Sequence, residues 1–196
     1  MNLPNLITLS RIALSGLFMW CLLSIGLTAK ILALIVFLIA CATDWLDGRL
    51  ARSRHQLTAF GALMDPIADK ILVLSALVAF VQLRLIPAWM VIVILGRELL
   101  ITGVRLLVNS GGRVLPAMAL GKYKTSWQMF AIVTITSLQI VHEAAPRWNP
   151  HSPIATETWI MHTSYAVMLV AVCLTLISGL QFLWVHRTLL RNGPTA

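Results

Sequence analysis

Three stretches of this sequence, 12–29, 125–142 and 158–185, contain no Asp, Glu, Lys or Arg. In helical form about 20 such residues cross the ~30 Å hydrocarbon core of a bilayer, so runs of this kind point to membrane helices. Three further apolar stretches, 31–52, 62–83 and 86–108, are long enough to cross but are broken by aspartates, Lys70, Arg97, Glu98 and Arg105. Charge inside a span is costly, so these three are expected to line a site. A composition of 59% hydrophobic and 11% charged residues excludes an ordinary soluble domain and argues against disorder. Six helices of this length use up most of the 196 residues. The expectation is therefore an all-α integral membrane protein, a single domain over 1–196, with six transmembrane helices and short connections.

An even number of spans puts both termini on one side, and the basic residues say which. Arg11, the 49–54 cluster, Lys70, Arg97, Arg105, Arg113, Lys122, Lys124, Arg187 and Arg191 fall in the half nearest the termini, against Lys30, Arg84 and Arg147 opposite. Twelve against three places the termini in the cytoplasm. The net charge of +8 is thereby directed at anionic headgroups and substrates on the cytoplasmic face. Nucleic acid is not expected as a partner, because the basic residues are spread over helix ends instead of forming one soluble patch. Residues 12–27 have the length of a signal-peptide core, but Arg11 alone precedes them as a basic residue, and a retained first span is the expectation.

Cys21, Cys41 and Cys173 lie in three different apolar segments without metal or redox spacing, and read as small buried hydrophobes. His142, Glu143 and His151 read as scattered residues of an outer connection, 143–158, and Trp148 and Trp159 as interfacial anchors. No internal repeat supports an inverted-repeat transporter.

All four aspartates fall within 26 residues, as Asp44-x2-Asp47-Gly48-x2-Ala51-Arg52-x8-Gly61-x3-Asp65-x3-Asp69. Asp44, Asp47, Gly48, Ala51 and Arg52 have the spacing of one helical stripe, and Gly61, Asp65 and Asp69 repeat it on the next span. Counted outward from the polar turn between them, Asp47 and Asp65 come at similar depth and Asp44 and Asp69 one turn deeper. Four carboxylates so placed can hold two divalent cations, and hard oxygen donors favour Mg²⁺ or Mn²⁺ over zinc. Gly48, Ala51, Gly61 and Ala62 leave space beside them, which serves a ligand or simply close helix packing. Intramembrane salt bridges with Arg49, Arg52, Arg54 and Lys70 would also balance the charge, and a cation transporter would use such carboxylates too.

The filled pattern resembles the signature of the CDP-alcohol phosphotransferase family. The resemblance implies six membrane helices, a short N-terminal interfacial helix and an active site facing the cytoplasm. It implies displacement of CMP from a CDP-linked substrate by an alcohol, with two divalent metals held by Asp44, Asp47, Asp65 and Asp69, and Asp69 as the base for the attacking hydroxyl. By position, Gly48, Arg52 and Thr58 correspond to contacts with the CDP part of the donor. The segment Asn2 to Arg11 is similar to the family's interfacial helix beside the nucleotide, with Asn5 and Thr8 as donor contacts; a Pro- and Asn-initiated helix start explains the same residues.

The acceptor has to be read from Gly96-Arg97-Glu98, Arg105 and Gly121-Lys122-Tyr123-Lys124-Thr125. Arg97 and Arg105, eight residues apart, share a helix face, and Lys122 and Lys124 enter at the same cytoplasmic end. Neighbours in a helix point about 100° apart, so Glu98 is a poor partner for Arg97. Four cations call for a phosphorylated acceptor in place of choline, ethanolamine or inositol, although Lys122 and Lys124 also serve as positive-inside anchors. These elements resemble the branch of the family that joins CDP-diacylglycerol to sn-glycerol 3-phosphate; inositol phosphate is the alternative acceptor. The resemblance also implies a homodimer embedded among membrane lipids of a bacterial cytoplasmic membrane. It covers about residues 2–130, and nothing in the final span is assigned to chemistry.

Overall fold

The structure is a computed structural model that describes the backbone of residues 3–54, 59–110, 119–148, 153–185 and 187, and the side chains of 9–43, 70–105, 121, 123–145, 157–185 and 187. Among the described residues are six helices and no strand: α1 (Leu3–Leu23), α2 (Leu27–Arg54), α3 (Ala59–Gln82), α4 (Ala88–Ser110), α5 (Ala119–Trp148) and α6 (Pro153–Val185). α1 packs on both α2 and α3, α5 on α6 and α2, and α4 on α6, with lighter contacts from α3 to α4 and α5.

The apolar stretch 12–29 is not one span. α1 ends at Leu23 and α2 starts at Leu27 because Gly26 takes a φ of 106°, a left-handed conformation that a Cβ would oppose. The Gly26 carbonyl then accepts from the amides of Ala29 and Lys30 and begins the next helix. The buried Lys30 ammonium donates back to the Leu22 carbonyl, one of the acceptors that the end of α1 leaves without an intrahelical donor. At the other end, the interfacial helix expected over 2–11 does not stand apart, since Leu3–Leu23 is continuous. Pro4 lies in the first turn, where a missing amide donor is tolerated, and no Gly or Pro follows before Gly16.

Between α3 and α4, Arg84 takes a φ of 58°. The Arg84 amide donates to Val81 and the Leu85 amide to Phe80, which closes α3 with the paired bonds of a Schellman turn in a position usually held by glycine. Buried Leu85 folds back over the helix end, and Pro87 then sets the start of α4. The connection expected over 143–158 is largely helical: α5 runs to Trp148 and α6 opens at Pro153, a residue suited to a first helical position. His142 and Glu143 are therefore helical residues of α5; His151 lies outside the described residues.

Phe18, Leu22, Phe37, Phe80, Met90, Ile132, Ile135, Met168 and Val172 are almost fully buried and join all six helices into one core, with the Phe18 and Phe37 rings 5.3 Å apart. The outward faces are apolar as well, with Trp20, Ile92, Phe130, Trp159, Leu180 and Trp184 each more than half exposed. Of the three cysteines only Cys21 is buried; Cys173 is on the outward face of α6, and Cys41 is half-buried with its Sγ 3.9 Å from Met129 Sδ. Among the described residues one segment, Glu157–Val185 with a mean hydropathy of 2.3, is long and apolar enough to cross a membrane by itself. Shorter apolar helical segments among the described residues are Leu9–Leu23, Leu27–Thr43 and Lys70–Gln82, so six crossings remain an expectation of which α6 meets this criterion.

Candidate active site

Asp44, Asp47, Gly48 and Arg52 are in the last part of α2, and Asp65 and Asp69 in the first half of α3. Their side chains lie outside the described residues, as do those of Asn5, Thr8 and Lys122, and Thr58 lies outside altogether. The helix limits still fix the axial positions of the aspartates. Asp44 is ten residues before the end of α2 and Asp69 ten residues after the start of α3, about 15 Å along each axis at 1.5 Å per residue. Asp47 and Asp65 come roughly 10 Å from the same ends. Four residues separate the two helices in the sequence. Carboxylates at i, i+3 and i, i+4 of continuous helices offer hard oxygen donors on one face each, a donor set that fits a divalent cation of the Mg²⁺ or Mn²⁺ type.

Lys70, the residue after Asp69, reaches across to α4, where its Nζ is 2.5 Å from the hydroxyl of Thr102. From there a polar cluster extends through α4, α5 and α6. Arg97 Nη2 donates to Ser178 Oγ of α6 at 3.1 Å, and its Nη1 donates to Glu98 Oε1 in a long ion pair of 3.5 Å. Glu98 is thus a partner of Arg97 after all, although a distant one. The same Glu98 oxygen meets the ammonium of Lys124, which is buried on α5. Lys124 is thus more than an anchor at the helix end. One turn further, Gln128 Nε2 donates to Thr175 Oγ1 at 3.4 Å.

Arg105 completes the cluster, with its guanidinium carbon 5.8 Å from the centre of the Phe182 ring, a cation–π distance. Arg97 and Arg105 are close enough to repel one another, and Lys124 feels both Arg97 and Lys70. Among the described side chains, Glu98 is the one carboxylate set against Arg97, Arg105 and Lys124. Arg97 Nε and Arg105 Nε are both buried and have no hydrogen-bond partner among the described residues. A guanidinium has donors only, so two buried unfilled donors in a region of excess positive charge suit an anion with several acceptor oxygens.

Nothing in the final span is assigned to chemistry from the sequence, and in the structure that span, α6, supplies contacts to the cluster. Ser178 and Phe182 touch the two arginines, and Gly179 lies against the Arg97 stem. The signal in the sequence is faint: a Ser-Gly pair inside an apolar run, a common feature of packed membrane helices. Among the described residues no group of three or more His, Cys, Asp or Glu is placed to hold a metal; His151 and the aspartate side chains lie outside them.

The profile of the CDP-alcohol phosphatidyltransferase family matches residues 1–185. The chain is 47% identical over 143 residues, 67% of its length and 74% of the relative's, to the CDP-diacylglycerol–glycerol-3-phosphate 3-phosphatidyltransferase of Bacillus subtilis. It is 37% identical over 195 residues, 95% of its length and 92% of the relative's, to the protein of that name from Pseudomonas fluorescens. It is also 37% identical over 185 residues, 92% of its length and 79% of the relative's, to a probable phosphatidylglycerophosphate synthase of Mycobacterium tuberculosis. With a match spanning all six helices, and with both the aspartate pattern and the basic cluster inside it, the chain belongs to the CDP-alcohol phosphatidyltransferase family of membrane transferases, whose members depend on divalent metals.

Proposed function

We propose that this protein transfers the phosphatidyl group of CDP-diacylglycerol to sn-glycerol 3-phosphate, giving phosphatidylglycerophosphate and CMP. The donor half of the reading rests on the family and on the printed activities of the relatives. The observation that carries the acceptor half is the pair of buried, unfilled Nε donors of Arg97 and Arg105 in a cluster where Glu98 is the one described carboxylate. A phosphate monoester supplies the charge and the acceptor oxygens that this cluster is short of.

In this reading Asp44, Asp47, Asp65 and Asp69 would hold two divalent cations, Mg²⁺ or Mn²⁺, whose charge offsets that which builds on the departing CMP. Arg52, with Gly48 and Thr58, orients the CDP pyrophosphate, and Asn5 and Thr8 approach the nucleotide from α1. Arg97, Arg105, Lys122 and Lys124 bind the phosphate of the acceptor and so hold its free primary hydroxyl toward α3. Asp69 accepts the proton of that hydroxyl as its oxygen forms the new bond to the lipid-bearing phosphorus. The bond from that phosphorus to the CMP oxygen breaks, and CMP leaves with the electron pair. The apolar outward faces of the helices fit a protein embedded in lipid, with the donor's acyl chains entering laterally. The excess of Lys and Arg on one side puts the active site and both termini at the cytoplasmic face of the bacterial inner membrane. The working unit is a single membrane domain, paired as a homodimer.

The test is CMP release by purified protein in detergent with CDP-diacylglycerol and Mg²⁺, with sn-glycerol 3-phosphate, with inositol phosphate, or without acceptor. Release that requires glycerol 3-phosphate is the expected result. Release that requires inositol phosphate keeps the chemistry and overturns the acceptor, and divalent cation flux without CMP release overturns the enzyme.

A further inference from the structure

Arg97 is held, besides by Glu98 of its own helix, by groups that come from the last helix. Its Nη2 donates to Ser178 Oγ at 3.1 Å, while the Ser178 hydroxyl donates to the Thr175 carbonyl of its own helix at 3.0 Å. That second bond matters for polarity. A hydroxyl has one proton, and with it committed to Thr175 the oxygen presents lone pairs to the guanidinium, which can only donate. Ser178 and Thr175 are both buried, so this geometry is shielded from competing water.

Gly179 acts through what it lacks. A Cβ at this position would stand 3.0 Å from Arg97 Cγ, 3.5 Å from Nε and 3.8 Å from Cδ. Any side chain would therefore press on the Arg97 stem along the edge that carries the unfilled Nε. The other described glycines of the helices, Gly16, Gly96, Gly103 and Gly121, have nothing within 4 Å of such a Cβ, so close packing of this kind is particular to Gly179.

We infer that Ser178 and Gly179 of α6 are positioning residues for the acceptor: the serine holds one end of the Arg97 guanidinium, and the glycine admits its stem, so that the remaining donors stay available to a phosphorylated alcohol. The inference rests on the proposal that Arg97 binds the acceptor. It makes α6 a determinant of acceptor affinity in addition to a membrane helix.

The experiment measures initial rates of CMP release by the full-length protein in detergent, varying glycerol 3-phosphate at saturating CDP-diacylglycerol and the reverse. Ser178→Ala and Gly179→Val are each expected to raise KM for glycerol 3-phosphate by about tenfold, the scale of one hydrogen bond to a charged group. They should leave kcat and KM for CDP-diacylglycerol within about twofold, a split that a general packing defect does not produce. Ser178→Thr, which keeps the hydroxyl, should restore KM, and Ser178→Ala in an Arg97→Ala background should add nothing. If Gly179→Val fails to fold, Gly179→Ala and the two serine variants carry the test. An Arg97→Ala variant with raised KM, beside Ser178 and Gly179 variants with normal KM, overturns the inference and spares the acceptor site. An Arg97→Ala variant with unchanged KM overturns the acceptor assignment itself. Equal losses in kcat and both KM values assign α6 to packing alone and overturn the inference too.

Discussion

Between α1, α2 and α3 the described packing is dominated by apolar side chains, Phe18 against Phe37 and Leu22, Ala33, Leu72 and Phe80 around them. Between α4, α5 and α6 it is threaded with polar pairs: Lys124 on Glu98, Arg97 on Ser178, Gln128 on Thr175, and Trp127 Nε1 on the Val167 carbonyl at 3.3 Å. The functional groups of the two halves are defined at different levels, by helix position in the first and by side-chain contact in the second, because the aspartate side chains lie outside the described residues. The aspartates of α2 and α3 are set by spacing along two continuous helices joined by a short connection. The cations of α4 and α5 depend on partners elsewhere in the chain, 81 residues away in the case of Arg97 and Ser178. A pattern local to a helix is robust to how that helix packs, whereas a cross-helix pair exists only in one packing.

That contrast can be broken at the aspartates, where the largest effect is expected. Asp69→Asn should lower turnover by about 10²–10⁴-fold, the usual weight of a general base, with binding of CDP-diacylglycerol retained. Asp44→Asn should in addition raise the concentration of Mg²⁺ needed for activity; equal loss of donor binding in both variants would remove Asp69 from the role of base.

On the acceptor side, Arg105→Ala should raise KM for glycerol 3-phosphate by roughly ten- to hundredfold, as befits loss of a charge-assisted contact, with donor affinity nearly unchanged. Donor affinity suffering first would merge the two halves into one site and end the comparison.

A smaller effect is expected at Glu98, which is 22% exposed where Lys124 is 4%. Glu98→Gln leaves the Lys124 ammonium without its carboxylate and should lower stability in detergent by about 1–2 kcal/mol, less than for a fully buried pair. Pairing it with Lys124→Met should recover most of the loss, and a thermal melt of the three variants reads this directly. Smallest of all, Gln128→Leu should cost about 0.5–1 kcal/mol and leave every KM unchanged, since its bond to Thr175 at 3.4 Å is between neutral groups one turn beyond Lys124. A raised KM there would extend the acceptor site one turn along α5.

Much of the fold was legible beforehand because apolar runs report helices directly. The stretches 31–52, 62–83, 86–108, 125–142 and 158–185 each fall within a few residues of one helix, α2 to α6 in order. The stretch 12–29 misled because hydropathy does not register backbone conformation, and Gly26 turns the chain inside an unbroken apolar run. The connection at 143–158 misled in the opposite sense: its prolines suggested a loop, yet α5 runs on past Pro146 at the cost of one helical donor, and Pro153 falls at the start of α6, where none is lost.

For the site, the identity and spacing of Asp44, Asp47, Asp65 and Asp69, the family they announce, and the presence of Arg97, Arg105 and Lys124 in an apolar chain all follow from residue types and helical periodicity. What those cations touch does not. Glu98 is shared by Lys124 and Arg97, and Ser178, Gly179 and Phe182 come against the arginines, because α6 packs on both α4 and α5. Periodicity defines the face a residue shares within its own helix; which helix that face meets, and at what height, is decided by the packing of all six together.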